Sequence, residues 1–446
     1  MISGVDARTF PGGVHAPHSK HRTEHNPIRK ASDPVSVVIP LHQHTGAPCE
    51  PLVKKGDRVL VGQKIGDSKA AVSAPVHASV SGTVTAVEPK AQPVLCRDVL
   101  SVVIESDGLF EVDPQVKPAG DLDSLDSGRL RQLIREAGIV GLGGAAFPTS
   151  VKVSPPPAKP IDVFLLNGAE CEPYLTADHR LMLEEPDLVV YGMRALMKAV
   201  GVDKGIVCIE DNKPDAVEAM SRAIADFPNL KVVVVKTKYP QGGEKQLIKA
   251  VLGREVPPPP GLPMDVGVVV NNVGTAAAVA TALRTGMPLV ERVLTVTGSI
   301  VKEPANLRAR LGTTFEDLIN QCGGLTGEPA KIIAGGPMMG IAQYTTAGPV
   351  VKGTSGILVL SRDEANLEEQ SNCIRCGSCV RACPMFLMPL YIKMYAEASR
   401  WDLVERYSPT ACIECGSCAY ECPARLPLVQ WIKISKAELA RAKGGK

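Results

Sequence analysis

The feature that most constrains this chain is a cysteine motif that occurs twice near its C-terminal end. The first copy follows the spacing C-x2-C-x2-C-x3-C-P from Cys373 to Pro384, and the second repeats it from Cys412 to Pro423. This spacing is typical of loops that bind [4Fe–4S] clusters, so two copies predict two clusters. Three cysteines of each copy lie on one tight loop. The fourth lies too far along the chain to reach the same cluster, and the proline after it turns the chain away.

The predicted ligand sets are therefore exchanged between the two copies. Each cluster takes three cysteines from one copy and the last cysteine of the other: Cys373, Cys376, Cys379 and Cys422 for one, and Cys412, Cys415, Cys418 and Cys383 for the other. Zinc is an alternative, but zinc sites usually pair two C-x2-C units and need no third cysteine. Disulfides would require an oxidising compartment, and the sequence shows no sign of export. We therefore predict a protein that transfers single electrons.

Length and composition limit the number of domains, the class of partner and the location that can be expected of this protein. A chain of 446 residues predicts three or four domains. The net charge of +2 gives no support for a nucleic-acid partner. No stretch of eighteen apolar residues occurs, and the first residues lack the pattern of a signal peptide. We expect a soluble cytoplasmic protein that reaches a membrane only through a partner.

Two regions precede the central domain. Residues 1–33 are expected to form an exposed or extended tail because terminal segments are seldom preorganised. Their histidine tract could alternatively bind a metal: His15, His18, His21 and His25. Residues 34–110 show short alternating strands broken by glycine and resemble the barrel-sandwich hybrid of biotinyl and lipoyl carriers. Lys69 matches the modified lysine of those carriers poorly, so we interpret this domain as a structural or docking module.

Residues 125–288 alternate apolar strands with amphipathic helices, which predicts a parallel sheet with helices on both faces. Ligands bind such sheets at the carboxyl ends of the strands. Ordinary turns and helix caps are the alternative for any single loop, and Asn272 and Thr275 suit a cap. The segment 141–146 is not a dinucleotide fingerprint, since a helix precedes it. Four loops are rich in glycine or polar residues: 141–147, 167–173, 239–245 and 271–275.

Together these loops resemble those of the flavin-bearing, NADH-oxidising subunit of respiratory complex I. The resemblance implies an FMN held by residues from all four loops and by the lysine that follows the first loop: Gly141, Gly143, Lys152, Asn167, Glu170, Tyr239, Gly242, Asn271, Asn272 and Thr275. It also implies a nicotinamide near Gly144, Ala145, Phe147, Glu172 and Glu244, with the two glutamates orienting it and biasing flavin protonation. The sequence departs from the family pattern at four positions that bear on the phosphate and ribityl contacts: Leu142 for arginine, Ala169 for aspartate, and Gly243 and Gly274 for glutamate.

A physical argument also favours a flavin. Nicotinamides give up two electrons as hydride, whereas iron–sulfur clusters accept one at a time. A chain that joins the two needs a carrier able to do both, and flavin is the usual choice. Residues 289–355 resemble the soluble-ligand-binding β-grasp module that follows the flavin domain in the same family. Apolar residues at helical spacing between the cysteine runs predict an α-helical twin [4Fe–4S] ferredoxin domain over 362–446.

The predicted fold class is multidomain α/β: a barrel-sandwich hybrid, a Rossmann-like parallel flavin domain, a β-grasp module and an α-helical ferredoxin domain. This order resembles the C subunits of Rnf electron-transport complexes. The resemblance implies a peripheral subunit on the cytoplasmic face of the membrane, in an ion-translocating NAD:ferredoxin oxidoreductase with other subunits and a ferredoxin-like partner. A soluble reductase, such as a cobalamin reductase, and a non-catalytic electron relay are the alternatives.

Overall fold

The computed structural model describes residues 7–365 and 369–444. The described start of the chain is extended but packed into the protein. Arg8 forms a parallel bridge with Val235, and Val14 forms an antiparallel bridge with Tyr239. The first strand, β1 (Ile28–Lys30), then joins the edge of a later sheet. Of the exposed or extended tail that was expected, the extended form is found over residues 7–33, but the segment is packed against the protein and is not a free tail; residues 1–6 lie outside the described residues.

The barrel domain follows as two small antiparallel sheets, in the orders β2-β8-β7-β4 and β3-β5-β6. Alternate residues such as Val37, Ile39 and Ile104 fill the core between them, as the period of two of a β-strand requires. Lys69 is exposed, as predicted. The strands are β2 (Ser36–Pro40), β3 (Glu50–Pro51), β4 (Arg58–Val59), β5 (Lys64–Asp67), β6 (Val76–His77), β7 (Gly82–Gln92) and β8 (Arg97–Ser106).

The α/β domain contains a fully parallel sheet in the order β11-β10-β9-β12. The sequence pattern of residues 180–200 predicts one helix, but Pro186 lacks an amide hydrogen and starts a second helix there. The elements are α1 (Ser127–Glu136), α2 (Thr149–Lys152), β9 (Val163–Gly168), α3 (Ala177–Glu184), α4 (Pro186–Val200), β10 (Gly205–Glu210), α5 (Pro214–Ala223), β11 (Leu230–Val235), α6 (Glu244–Leu252), β12 (Val268–Asn272) and α7 (Val273–Thr285).

The β-grasp domain is a mixed sheet in the order β1-β14-β13-β17-β15-β16 with one helix packed on it. Its elements are β13 (Glu291–Thr297), β14 (Ala305–Arg310), α8 (Phe315–Gln321), β15 (Lys331–Ala334), β16 (Ile341–Gln343) and β17 (Gly356–Leu360).

The regular elements in the described part of the cysteine domain are all helices, as predicted. Its helices are α9 (Ser378–Arg381), α10 (Pro389–Glu397), α11 (Trp401–Arg406), α12 (Ser417–Tyr420) and α13 (Leu428–Gly444). Within the described residues, each helix is too short or too polar to cross a bilayer.

Candidate functional site

The four predicted loops interlock at one edge of the parallel sheet. The Leu142 amide donates a hydrogen bond to Thr275 Oγ1 over 2.9 Å, which joins the glycine-rich loop to the start of α7. Asn167 Nδ2 donates to Gly242 O over 2.8 Å, which joins the loop after β9 to the loop before α6. Asn272 caps α7 by accepting from the following amides, as the capping interpretation predicted. Asn272 also lies opposite Asn167 in the neighbouring strands β12 and β9, so the two pairs of loops form one continuous site.

The glycine-rich loop leaves backbone open to a ligand. Gly143 and Gly144 are exposed, and a Cβ on Gly144 would have no neighbour within 4 Å. A Cβ on Gly143 would lie 2.7 Å from Asn272 Nδ2. The nearby amide nitrogens Asn271 Nδ2 and Gln241 Nε2 are buried without a hydrogen-bond partner among the described residues. Because such groups are costly to bury unpaired, they fit a bound polar cofactor such as FMN.

Glu244 and Lys152 form an ion pair of 2.5 Å between the first residue of α6 and the last residue of α2. Both side chains are about one-third exposed. The pair therefore links the loop before α6 to the segment that follows the glycine-rich loop, and both groups remain accessible to a ligand.

The other two predicted carboxylates are engaged by the protein itself. Glu170 accepts hydrogen bonds from the amides of Asp178 and His179, at the first turn of α3. Glu172 accepts from the amides of Met338 and Met339 over 3.0 and 2.8 Å, in the glycine-rich turn after β15. Burial raises the pKa of both carboxyl groups to about 7. Glu172 thus joins the α/β domain to the β-grasp domain.

A buried lysine that sequence reasoning missed holds this loop from below. Lys20 Nζ donates to Glu170 O and Glu172 O over 3.0 Å each, and also to Leu175 O. Burial lowers the pKa of Lys20. No local sequence pattern points to this lysine, because its partners lie some 150 residues away.

A second buried lysine, Lys213, donates to Ala169 O over 2.7 Å and pairs with Glu210 at 3.2 Å. This lysine was also missed. It follows β10 directly, so the rule that polar residues gather at the carboxyl ends of parallel strands could have found it.

The structure separates the eight motif cysteines into two groups of four. The outer group lines one cavity: Cys373, Cys376, Cys379 and Cys422. The inner group consists of Cys383, Cys412, Cys415 and Cys418. Burial raises the pKa of Cys412 to about 11, and the thiols of Cys415 and Cys383 contribute to that rise. These are the groupings that the exchange of the fourth cysteine predicts.

The two cysteine loops share one backbone conformation, which suits the cluster prediction. The residues two places after the first cysteine, Arg375 and Glu414, have φ values of 56° and 58°. Their amides point at the first sulfur of each loop, at 3.4 and 3.3 Å. Among the described residues no three His, Cys, Asp or Glu side chains converge on the position of a single ion. The outer group lines a cavity, as a cluster of several ions requires.

The inner cysteine group lies against the loops of the α/β domain. Tyr239 Oη donates to Cys415 O over 2.7 Å. A Cβ on Gly416 would lie 2.8 Å from Met338 O, so the turn after β15 also reaches this loop. The outer group lies nearer the surface, where Cys373 and Cys376 are exposed. The inner group therefore lies between the α/β loops and the outer group, and the outer group reaches solvent.

Two of the four departures from the complex I pattern share one location. Leu142 and Gly274 both line a cavity of about 250 Å³ between α7, β13 and the barrel domain. The cavity wall is mainly apolar. At these two positions the chain therefore contributes no charged group to the cavity wall, whereas that pattern has an arginine and a glutamate.

Family models match four successive parts of the chain. Their descriptions are "RnfC Barrel sandwich hybrid domain" for residues 8–109, "Nuo51 FMN-binding domain" for 134–281, "SLBB domain" for 293–342 and "4Fe-4S dicluster domain" for 372–426. These matches confirm the predicted fold class and the predicted cofactors, FMN and two [4Fe–4S] clusters. The residues described above fit both kinds of cofactor.

Relatives match along nearly the whole length. The C subunit of the Na(+)-translocating ferredoxin:NAD(+) oxidoreductase complex of Acetobacterium woodii is 52% identical, over 97% of each chain. The C subunit of the proton-translocating ferredoxin:NAD(+) oxidoreductase complex of Clostridium ljungdahlii is 49% identical, over 97% of this chain and 94% of that one. The C subunit of the ion-translocating oxidoreductase complex of Rhodobacter capsulatus is 40% identical, over 100% and 86%. The chain therefore belongs to the family of C subunits of ion-translocating oxidoreductase complexes of the Rnf type.

Proposed function

We propose that this chain exchanges electrons between NADH and one-electron carriers as a subunit of an ion-translocating ferredoxin:NAD oxidoreductase. When bound, FMN exchanges hydride with the nicotinamide and the two clusters carry single electrons. The observation that carries the proposal is the placement of the inner cysteine group between the α/β loops and the outer group. A redox route can therefore run through one polypeptide from a nucleotide site to the surface.

The protein's own residues fall into two sets: those that bind the nicotinamide or FMN, and those that hold the binding loops in position. Glu244, steadied by Lys152, is the partly exposed carboxylate, so we assign it to orienting the nicotinamide with Gly144, Ala145 and Phe147. Glu172 is a positioning residue, since its carboxylate is bonded to the turn after β15. The FMN is held mainly by the open backbone and side-chain amides of the four loops: Gly141, Gly143, Asn167, Gly242, Asn271, Asn272 and Thr275.

The outer cysteine group is the proposed point of contact with a ferredoxin-like partner. Ile374, within its loop, is 70% exposed, and the basic side chains of Arg375 and Arg381 are exposed beside it. An apolar contact surrounded by positive charge suits a small acidic electron carrier. Because ferredoxin and NADH are cytoplasmic reactants, we place this chain on the cytoplasmic face of the membrane, held there by other subunits.

The proposal is tested by anaerobic titration of the purified chain, reconstituted with iron, sulfide and FMN, against NADH. We expect the flavin absorbance to bleach first and the cluster absorbance to fall afterwards, because electrons must pass the flavin to reach the clusters. Clusters that respond to dithionite but not to NADH would leave the chain a relay, with the NADH site elsewhere.

Glu244→Gln is expected to weaken reduction of the flavin by NADH about tenfold, the usual scale for one lost charge-assisted contact. Iron content and reduction by dithionite should stay unchanged. Stopped-flow measurement of flavin bleaching across NADH concentrations checks this. Glu255→Gln is the matched control, since Glu255 is an exposed glutamate paired with Lys249 beyond the end of α6. Loss of iron in Glu244→Gln, or equal kinetics in the two variants, would contradict the assignment.

A further inference from the structure

The barrel domain contacts both ends of the glycine-rich loop. At its start, Gly138 has a φ of +65° and packs so closely that a Cβ would lie 2.3 Å from Pro75 O of the barrel. Near its end, the Thr45 amide donates to Ala146 O over 3.2 Å, and Thr45 Oγ1 donates to Ala145 O over 2.7 Å. The barrel therefore touches the loop on either side of its exposed glycines.

A buried lysine of the β-grasp domain completes this contact. Lys352 is fully buried, and its Nζ donates to Pro75 O over 2.6 Å and to Gly138 O over 2.7 Å. Its backbone amide donates to Gln43 Oε1 over 3.0 Å. Gln43 lies two residues before Thr45, so one lysine ties three domains together at the base of the loop.

The base of the loop has hydrogen bonds of its own, from the Leu142 amide to Thr275 Oγ1 and from the Gly141 amide to Phe147 O, but the tip of the loop is open. Gly143, Gly144 and Ala145 are exposed, and Gly144 has open space around its Cα. Ala146 has a φ of +51°, a conformation that costs energy for a residue other than glycine. Such a conformation persists only where neighbouring groups hold it, and Thr45 bonds to this residue and the one before it.

We propose that Thr45, Gln43 and Lys352 form a clamp by which the barrel domain sets the position of the glycine-rich loop and so strengthens nicotinamide binding. The three are positioning residues, since they act through backbone carbonyls and amides. A loop held in place before the ligand arrives loses less conformational entropy on binding, which raises affinity. This gives the barrel domain a part in the chemistry instead of a carrier role.

The test compares Thr45→Val with Thr45→Ser in the full chain loaded with FMN and clusters. Valine keeps the size of threonine but removes its hydroxyl, whereas serine keeps the hydroxyl. Thr45 is exposed, so both variants should fold. We expect Thr45→Val to speed hydrogen–deuterium exchange in residues 139–147 about fivefold, the effect of one hydrogen bond. The KM for NADH should rise by a similar factor with kcat and FMN content unchanged, and Thr45→Ser should restore both.

A second variant tests the base of the clamp. Lys352→Met should speed exchange at both ends of the loop, whereas Lys331→Met, in the same domain, should not. If Lys352→Met fails to fold, the comparison of Thr45→Val with Thr45→Ser decides alone.

Two results for Thr45→Val would overturn the proposal. One is a hydrogen–deuterium exchange rate equal to that of the parent protein together with a KM for NADH within twofold of the parent value. The other is faster exchange with an unchanged KM. The KM measurement rests on the proposed function, but the exchange measurement does not. A parent protein that NADH cannot reduce would therefore count against that function and leave the clamp's effect on the loop measurable.

Discussion

Replacing Cys415 by alanine is expected to stop electrons at the flavin. Cys415 belongs to the inner cysteine group, whose loop is bonded to Tyr239 of the α/β domain. With one of four thiolate ligands gone, the inner cluster should not assemble, and about half of the iron should be lost. NADH should still bleach the flavin, while the outer cluster stays oxidised because its nearest donor is missing. Iron analysis and electron paramagnetic resonance after NADH addition measure both effects.

Cys376→Ala is the matched variant, since Cys376 occupies the equivalent position in the exposed outer group. It should also lose about half of the iron, but NADH should still reduce the inner cluster that remains. Transfer onward to a ferredoxin-like acceptor should fail in both variants. The opposite pattern, with NADH reducing the remaining cluster only in Cys415→Ala, would place the outer group next to the flavin and reject the proposed order.

Lys20→Met is expected to give the largest loss of stability. The ammonium group of Lys20 satisfies three backbone carbonyls beneath the loop that joins β9 to α3. Methionine fills the volume but leaves these carbonyls without a donor, at about 1–3 kcal/mol for each buried unpaired group. Removing a buried charge offsets part of that cost, so we expect a net loss of about 3 kcal/mol in the free energy of unfolding. The midpoint of urea unfolding measures this loss.

The loop above Lys20 should also retain FMN less well, which gel filtration followed by flavin absorbance can measure. Lys69→Met is the control because Lys69 is exposed on the barrel domain. It should change the free energy of unfolding by less than about 0.5 kcal/mol. Equal stability of the two variants would mean that water replaces the ammonium group of Lys20 and that the loop needs no support from the N-terminal segment.

The cysteine ligands were predictable because three of the cysteines that bind each cluster lie close together in the sequence. A cluster loop closes within seven residues, so its spacing is visible in the sequence, and the repeated motif shows the exchange of the fourth cysteine. The parallel sheet was predictable for a similar reason, since strands buried on both faces, such as Val163–Gly168, show as apolar runs. The ends of elements were less predictable: the single helix over 180–200 proved to be two.

The residues that hold the loops of the site in position could not be predicted from local sequence patterns. Residues 7–33 were expected to form a tail, yet Val14 pairs with Tyr239, and Lys20 holds the loop after β9. A place beside the nicotinamide stays a prediction for Glu172, and the hydrogen bond of its carboxylate to the turn after β15 has no local signal in the sequence.

The sequence alone determined which cofactors the chain can hold and the order of its domains, because those properties depend on neighbours along the chain. Tertiary structure alone decided which cysteine group faces the α/β loops, and which residues steady those loops. These contacts join residues that are far apart in the chain, such as Thr45 and Ala145 at 100 positions and Lys352 and Gly138 at 214 positions. Hydrogen bonds over such separations impose no local period on the sequence. They arise only when packing of the apolar faces brings the domains together.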